Sequence, residues 1–322
     1  MALELKKAQR KKAKLKLGIA APSGGGKTAG ALLIAYGMMK EKYPTLNDVD
    51  LWDKIVIIDS ENGSGELYVD KEIGSTKIGE YCAITLQPPF EANKYTDAIL
   101  LAYEAGKEVA IIDSTTHLWA GQGGLLEQQG NAAKRTGNGY TAWRDVTPQL
   151  NRFIDTMLQT DIHIIATMRS KQEYIQEKDP STGKTTIRKV GLNPVQREGM
   201  EYEFTSFFEI DNEHNAYGSK DRTSIFDQKT FVITPNVGKQ LMQYLESGSD
   251  AKQVILATQE DPNEKLKLLQ EKVIEIAKSL GGSSNADVMN IVKKYESSGN
   301  PKKISNVSVL NDLLNELNTI TQ

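Results

Sequence analysis

Residues 21–28 read Ala-Pro-Ser-Gly-Gly-Gly-Lys-Thr. Three consecutive glycines ahead of Lys-Thr let successive backbone N–H groups curl around a polyphosphate without a Cβ in the way. This is the Walker A pattern, with Ala21 at the position that usually holds Gly. It makes Ser23, Gly24, Gly25, Gly26, Lys27, Thr28 and Ala29 candidate ATP contacts. Lys27 is placed to reach the β- and γ-phosphates, and the Thr28 hydroxyl to ligate Mg²⁺. A second carboxyl chemistry follows in Val-Ala-Ile-Ile-Asp (109–113), an apolar run ending in Asp113. Beside a phosphate loop such a carboxylate holds Mg²⁺, commonly through water. Ser114 comes next, so a general base has to come from elsewhere. Glu61, two residues beyond the run Ile-Val-Ile-Ile-Asp (55–59), is the candidate; the alternative is a solvated strand-end acid. A second Gly-Lys-Thr at 183–185 has no apolar strand before it and no helix after it, and reads as a hairpin turn.

These residues need elements to hold them. Apolar runs at 15–21, 55–59, 109–113 and 162–168 are short and rich in Ile and Val, as suits strands covered on both faces. Between them, 28–43 (closed by Pro44), 94–105 (closed by Gly106) and 140–159 read as helices. The last carries a stripe of Trp143, Val146, Leu150, Phe153, Ile154, Met157 and Leu158, with Pro148 marking a kink near Thr147. Trp119 and Trp143 are expected as core anchors. Strand–helix alternation predicts an α/β fold with a mainly parallel central sheet. After 170 the pattern changes to a polar hairpin over 171–190, turning at 179–183, and further strands at 204–211 and 230–234. The stretch 121–139 is expected to be too polar to pack. Beyond 250 the chain reads as helices, with a stripe of Leu266, Leu269, Val273, Ile276, Ala277 and Leu280, by default the core of a small bundle and otherwise an interface. The expected division is a basic arm at 1–13, an ATPase core at 14–248 and a helical region at 249–322.

The chain has 322 residues and a net charge of −3, which argues against a basic nucleic-acid coat. The charge is uneven: residues 1–17 hold seven Lys/Arg against one Glu. That arm is either a phosphate-binding segment or a solvated tail. A lone Cys82 excludes an internal disulfide, and three dispersed histidines make a His-rich metal site improbable. No apolar run is long enough to span a membrane, and the charged start lacks a signal-peptide core, so a cytoplasmic protein is expected. Two polar insertions leave the C-terminal edge of the sheet. One carries Lys134 and Arg135; the other carries Arg169, Lys171, Lys184, Arg188 and Lys189. Cations with scattered aromatics suit single-stranded DNA; solvated loops are the alternative.

A Walker A, an Ile-Asp-x-Glu segment ending the next strand, and a Walker B ending in Asp-Ser together resemble the RecA-like P-loop ATPase core. The resemblance spans about residues 14–235 and is closest to phage-encoded RecA-core single-strand annealing proteins. It implies a RecA-like fold with later β-hairpins and a small helical C-terminal region. It makes Glu61 the catalytic carboxylate, and puts Thr167 near the family's Gln γ-phosphate sensor. Ser-Lys-Asp-Arg (219–222) is similar to a motif whose Lys and Arg complete a neighbouring subunit's site, which assigns Lys220 and Arg222. The implied function is a DNA-stimulated ATPase acting in recombination by annealing or pairing single strands. Its partners would be single-stranded DNA, further copies of itself in a ring or filament, and a single-stranded-DNA-binding protein, in a bacterial host's cytoplasm. Two alternatives stay open: a hexameric helicase or translocase, and a nucleotide-gated scaffold or loader for replication proteins.

Overall fold

The structure is a computed structural model that describes residues 4–6, 8–178, 185–248, 255–258 and 262–319. The chain divides into two units: Arg10–Asp250, and Met1–Gln9 together with Ala251–Gln322.

In the larger unit, strand β1 (Lys16–Ala21) leads into helix α1 (Lys27–Lys42). Helix α2 (Asp48–Asp53), β2 (Ile55–Asp59), β3 (Cys82–Thr85), α3 (Ala92–Glu104) and β4 (Val109–Asp113) follow. Three helices come next: α4 (Thr115–Ala120), α5 (Leu125–Thr136) and α6 (Gly139–Gln159). Strand β5 (His163–Lys178) pairs with β6 (Thr185–Pro194) as an antiparallel hairpin. Then come β7 (Ser206–Ile210), β8 (Asn215–Asp221), β9 (Thr230–Val232) and α7 (Pro235–Glu246). The sheet order is β9-β8-β7-β1-β5-β4-β2-β3, and the run from β7 to β3 is parallel throughout. The phosphate-loop strand and the Asp113 strand are thus separated by β5. This is a RecA-like P-loop arrangement, mixed α/β with a mainly parallel sheet.

The continuous apolar runs are explained by two-sided burial. Ile57, Ile111 and Ile165 face a core shared with α1 and α7, while Ile58, Ile112 and Ile164 face one shared with α3 and α6. Each such side chain contributes roughly 1.5–3 kcal/mol. Helices α1 and α7 meet at glycines: a Cβ on Gly37 would lie 1.8 Å from the Pro235 carbonyl oxygen, and one on Gly238 would lie 2.0 Å from that of Ile34.

Several expectations are corrected. Most of the stretch 121–139 is helical, as α5 (Leu125–Thr136): Gly137 ends α5 at φ 68°, the Asn138 side chain caps α6, and Leu125 and Ala132 are buried. Local capping outweighs its polar composition. Helix α6 runs on through Pro148. Leu158 is 36% exposed, and Trp143 and Ile154 are only partly buried. Trp119 and Trp143 stack on each other at the margin of the core, with ring centroids 5.7 Å apart. The arm at 1–13 is not a separate segment: Glu4–Lys6 pairs antiparallel with Ile255–Thr258 in the smaller unit. Its continuation is bound within the larger one. Arg10 lies over the Tyr244 ring, Lys12 pairs with Glu246, and buried Lys16 donates to the carbonyls of Thr160 and Ile162. Of the two roles open for the arm, a fully solvated tail does not fit, because Arg10 and Lys12 have partners within the fold.

The smaller unit adds helices α8 (Pro262–Ser279), α9 (Ala286–Tyr295) and α10 (Val307–Thr319). Val273, Val288, Val292, Leu310, Leu313 and Leu317 form its own core, with Leu266, Leu269, Ile276, Ala277 and Leu280 packed against it. The stripe is therefore core packing. The expected turn at 179–183 lies outside the described residues.

Two outcomes test this packing. Gly37→Ala drives a methyl group into backbone and should destabilise by about 1–3 kcal/mol in denaturant melts. His163 is 1% exposed, and its Nδ1 accepts from the Leu15 N–H at 2.9 Å. Burial, with Lys14 and Lys42 adding to it, holds its pKa at about 3 against an ordinary 6.5. Above pH 6.5 the ring is neutral folded or unfolded. As pH falls from 6.5 toward 3, only the unfolded chain gains the proton, so stability drops by up to about 1.4 kcal/mol per pH unit. His163→Gln should remove that component of the pH dependence of melting.

Candidate nucleotide site

The loop between β1 and α1 has the backbone the glycines allow. Gly24 and Gly26 take φ of 79° and 89°, and the space a Cβ on Gly24 would fill is open. Gly26 caps α1, and no acidic side chain of the helix's own first turn offsets its positive end. Ser23 lies within this turn, and Ala29 in the first turn of α1. Lys27 donates to the Pro22 carbonyl at 3.2 Å. Burial lowers its pKa, Asp113 and Glu61 work against that, and Arg169 adds to it.

Asp113 ends β4 at 1% exposure. Its two oxygens each accept a hydroxyl at 2.5 Å, one from Thr28 and one from Thr167. Burial still raises its pKa, against these bonds and Lys27 and with Glu61 adding to it. A buried carboxylate beside a Thr hydroxyl is a hard oxygen set that fits Mg²⁺. No cluster of three or more His, Cys, Asp or Glu suited to a metal occurs among the described residues. Mg²⁺ characteristically uses one or two protein oxygens and completes its shell from phosphate and water. Thr167, expected near a γ-phosphate sensor, is fully buried with its hydroxyl spent on Asp113. It acts from behind the carboxylate.

Glu61 stands on the turn after β2. Asp59, 1% exposed, fixes that turn by accepting from the Glu61 N–H at 2.5 Å and the Gly65 N–H at 3.1 Å. The Glu61 carboxylate accepts from the Ser114 hydroxyl at 2.8 Å and from Arg169 Nε at 3.0 Å, and its other oxygen pairs with Arg169 Nη2. Burial pushes its pKa up, but Arg169 and Ser114 outweigh that and hold it below the ordinary carboxylate value. The sequence does not reveal Ser114 and Arg169 as the partners of Glu61. Arg169 reads there as a cation of the second polar insertion; only the parallel register, which sets it beside Ala21, brings it to the phosphate loop.

The other assigned residues lie elsewhere. Lys220 and Arg222 both donate to the Tyr202 carbonyl, at 2.5 and 3.4 Å. Lys220 sits opposite Phe207, itself opposite Gly18, near the start of β1 and away from this chain's own phosphate loop. Lys134 and Arg135 are in the last turn of α5, where Arg135 pairs with Asp145 at 3.5 Å. Lys171 is exposed at the hairpin's root, Arg188 and Lys189 lie along β6, and Lys184 lies outside the described residues. A groove of about 1660 Å³ runs beside α6, lined by Trp119, Tyr140, Trp143, Arg144 and Arg197 among others. Tyr140 is 88% exposed there.

Thr167→Val would leave one buried Asp113 oxygen unpaired. It should destabilise the fold by about 1–3 kcal/mol in denaturant melts.

The same region is recovered by comparison with known proteins. The chain is similar to a KaiC-like protein from the hyperthermophilic archaeon Pyrococcus horikoshii OT3, at 14% identity and a TM-score of 0.37, over 71% of this chain and 96% of that one. No curated protein matches. The AAA domain family matches residues 13–234, which contain the whole of the site described above. This chain is a P-loop ATPase and belongs to the AAA domain family.

Proposed function

We propose that this protein is a DNA-stimulated ATPase that binds single-stranded DNA and promotes annealing or strand pairing as a homo-oligomer. The observation that carries the reading is that one strand serves both ends. β5 contributes Thr167 to the Asp113 carboxylate, Arg169 to Glu61, and then continues as the hairpin bearing Lys171. Charge on the hairpin is therefore mechanically continuous with the hydrolytic residues. The groove with its stacked Trp119–Trp143 pair and Arg144 and Arg197 offers the mix of aromatic faces and cations that suits a single strand. Charged partners Asp155, Asp161 and Glu198 also line it, so binding there would depend on stacking as much as on phosphate.

In the chemistry we propose, the N–H groups of residues 24–29 and Lys27 bind and orient the ATP phosphates. Thr28 and Asp113 hold Mg²⁺, which when bound supplies charge neutralisation between the phosphates. Glu61 accepts a proton from the attacking water, with Ser114 fixing the carboxylate's orientation. Lys220 and Arg222, remote from their own chain's loop, complete the neighbour's site, so the working form is a ring or filament. No helix among the described residues is long and apolar enough to cross a membrane, and we place the protein in the cytoplasm. A nucleotide-gated scaffold is the second reading, favoured by the separate helical core of the smaller unit.

ATPase assays with and without single-stranded DNA test the proposal. Wild type should be stimulated by DNA. Lys27→Ala should lose nucleotide binding, whereas Glu61→Gln should keep it and lose turnover by about 10²–10⁴-fold. Lys27→Ala mixed with Lys220→Ala should recover activity that neither has alone, because intact sites form across mixed interfaces. Wild type that neither binds DNA nor is stimulated by it would end the recombination reading. Unimpaired Glu61→Gln would favour the scaffold.

A further inference from the structure

The Glu61–Arg169 pair is unusual for a working base. Both carboxylate oxygens are engaged by the guanidinium, and one also accepts from Ser114. Three of the carboxylate's roughly four acceptor sites are therefore taken, two of them by a cation that weakens its basicity. The pair is not sealed: the Arg169 side chain is 45% exposed, the Glu61 side chain 17%. Arg169 is also anchored by its backbone to both neighbours. Its N–H donates to the Thr116 hydroxyl at 2.9 Å, and its carbonyl accepts from the Val195 N–H at 2.7 Å, closing the base of the hairpin. Gln196, at the hairpin's exit, donates to the Thr115 carbonyl at 3.1 Å. Both legs of the hairpin are thus tied to α4, the helix that begins right after Asp113–Ser114. Lys171 lies two residues along the strand from Arg169, on the same face, and is exposed.

We propose that Arg169 is a positioning residue for hydrolysis whose guanidinium alternates between two anions: the Glu61 carboxylate, and a phosphate of a single strand bound at the hairpin root beside Lys171. On Glu61 it restrains the base and keeps basal turnover low. Drawn onto a backbone phosphate, it leaves Glu61 held by Ser114 alone and open to water. A phosphate diester suits the exchange, because it matches the guanidinium fork as a carboxylate does. This rests on the proposed DNA-stimulated function and deepens it by naming where the strand acts on the site.

The experiment is steady-state ATPase of full-length wild type, Arg169→Ala, Arg169→Lys and Lys171→Ala, each with and without an oligothymidylate. Arg169→Ala should raise basal kcat by on the order of tenfold with KM for ATP unchanged, and further stimulation by DNA should disappear. Arg169→Lys, which keeps the charge but not the fork, should restore part of the restraint. Lys171→Ala should need more DNA for half-maximal stimulation. Raising salt should modestly increase basal turnover of wild type and not of Arg169→Ala, since the guanidinium, 45% exposed, is open to screening ions. Folding of each variant is checked by its melting curve, and Arg169→Lys carries the test if Arg169→Ala does not fold. Loss of turnover in both Arg169 variants, or DNA stimulation that survives in both, would overturn the proposal. Wild type that does not hydrolyse ATP would instead overturn the ATPase reading beneath it.

Discussion

A carboxylate that is 1% exposed must have its charge answered, and the way Asp113 is answered organises this site. Its two oxygens take hydroxyls from two different elements: Thr28 at the start of the phosphate-loop helix, and Thr167 on the strand between that loop and Asp113 itself. The pairing is possible only because β5 lies between β1 and β4 with all three strands parallel, so that their C-terminal ends open on one crevice. Phosphate loop, Asp113 carboxylate and hairpin root are fixed relative to one another by that register. The remaining pull on the buried charge, which raises the Asp113 pKa, is what a bound divalent cation would relieve.

The second constraint is the crowding of like and unlike charges around Lys27. Glu61 and Asp113 favour its protonated form, while burial and Arg169 oppose it. The ionic state of the site is therefore collective, and a group on the hairpin strand is part of it. A protein with a net charge of −3 has little attraction for DNA at a distance. The Arg169–Lys171 root, where we propose that nucleic acid is engaged, adjoins Glu61.

What was legible in the sequence follows the physics that each signal reports. The runs at 15–21, 55–59 and 109–113 were readable because strands buried on both faces lose their alternation. The phosphate loop was readable because the glycines and Lys-Thr are required locally, with no long-range context. Glu61 was readable as a strand-end acid, but its partner was not, since Arg169 is 108 residues away and meets it only through sheet register. The edge strand Cys82–Thr85 is four residues with half-exposed alternation and leaves little trace. Helix α5 is hidden by its polar composition, because its end is set locally by Gly137 and not by an apolar stripe. Pairing of Glu4–Lys6 with Ile255–Thr258 joins chain segments about 250 residues apart, and no local pattern announces it.

In the proposed function, nucleotide and single strand act on one coupled site. The decisive measurement is the affinity of a fluorescent oligothymidylate with ATP·Mg²⁺, with ADP·Mg²⁺ and without nucleotide, at two salt concentrations. Binding should be tightest with ATP·Mg²⁺ and should weaken as salt rises. Equal affinity in all three nucleotide conditions, or no binding in any, would contradict that coupling.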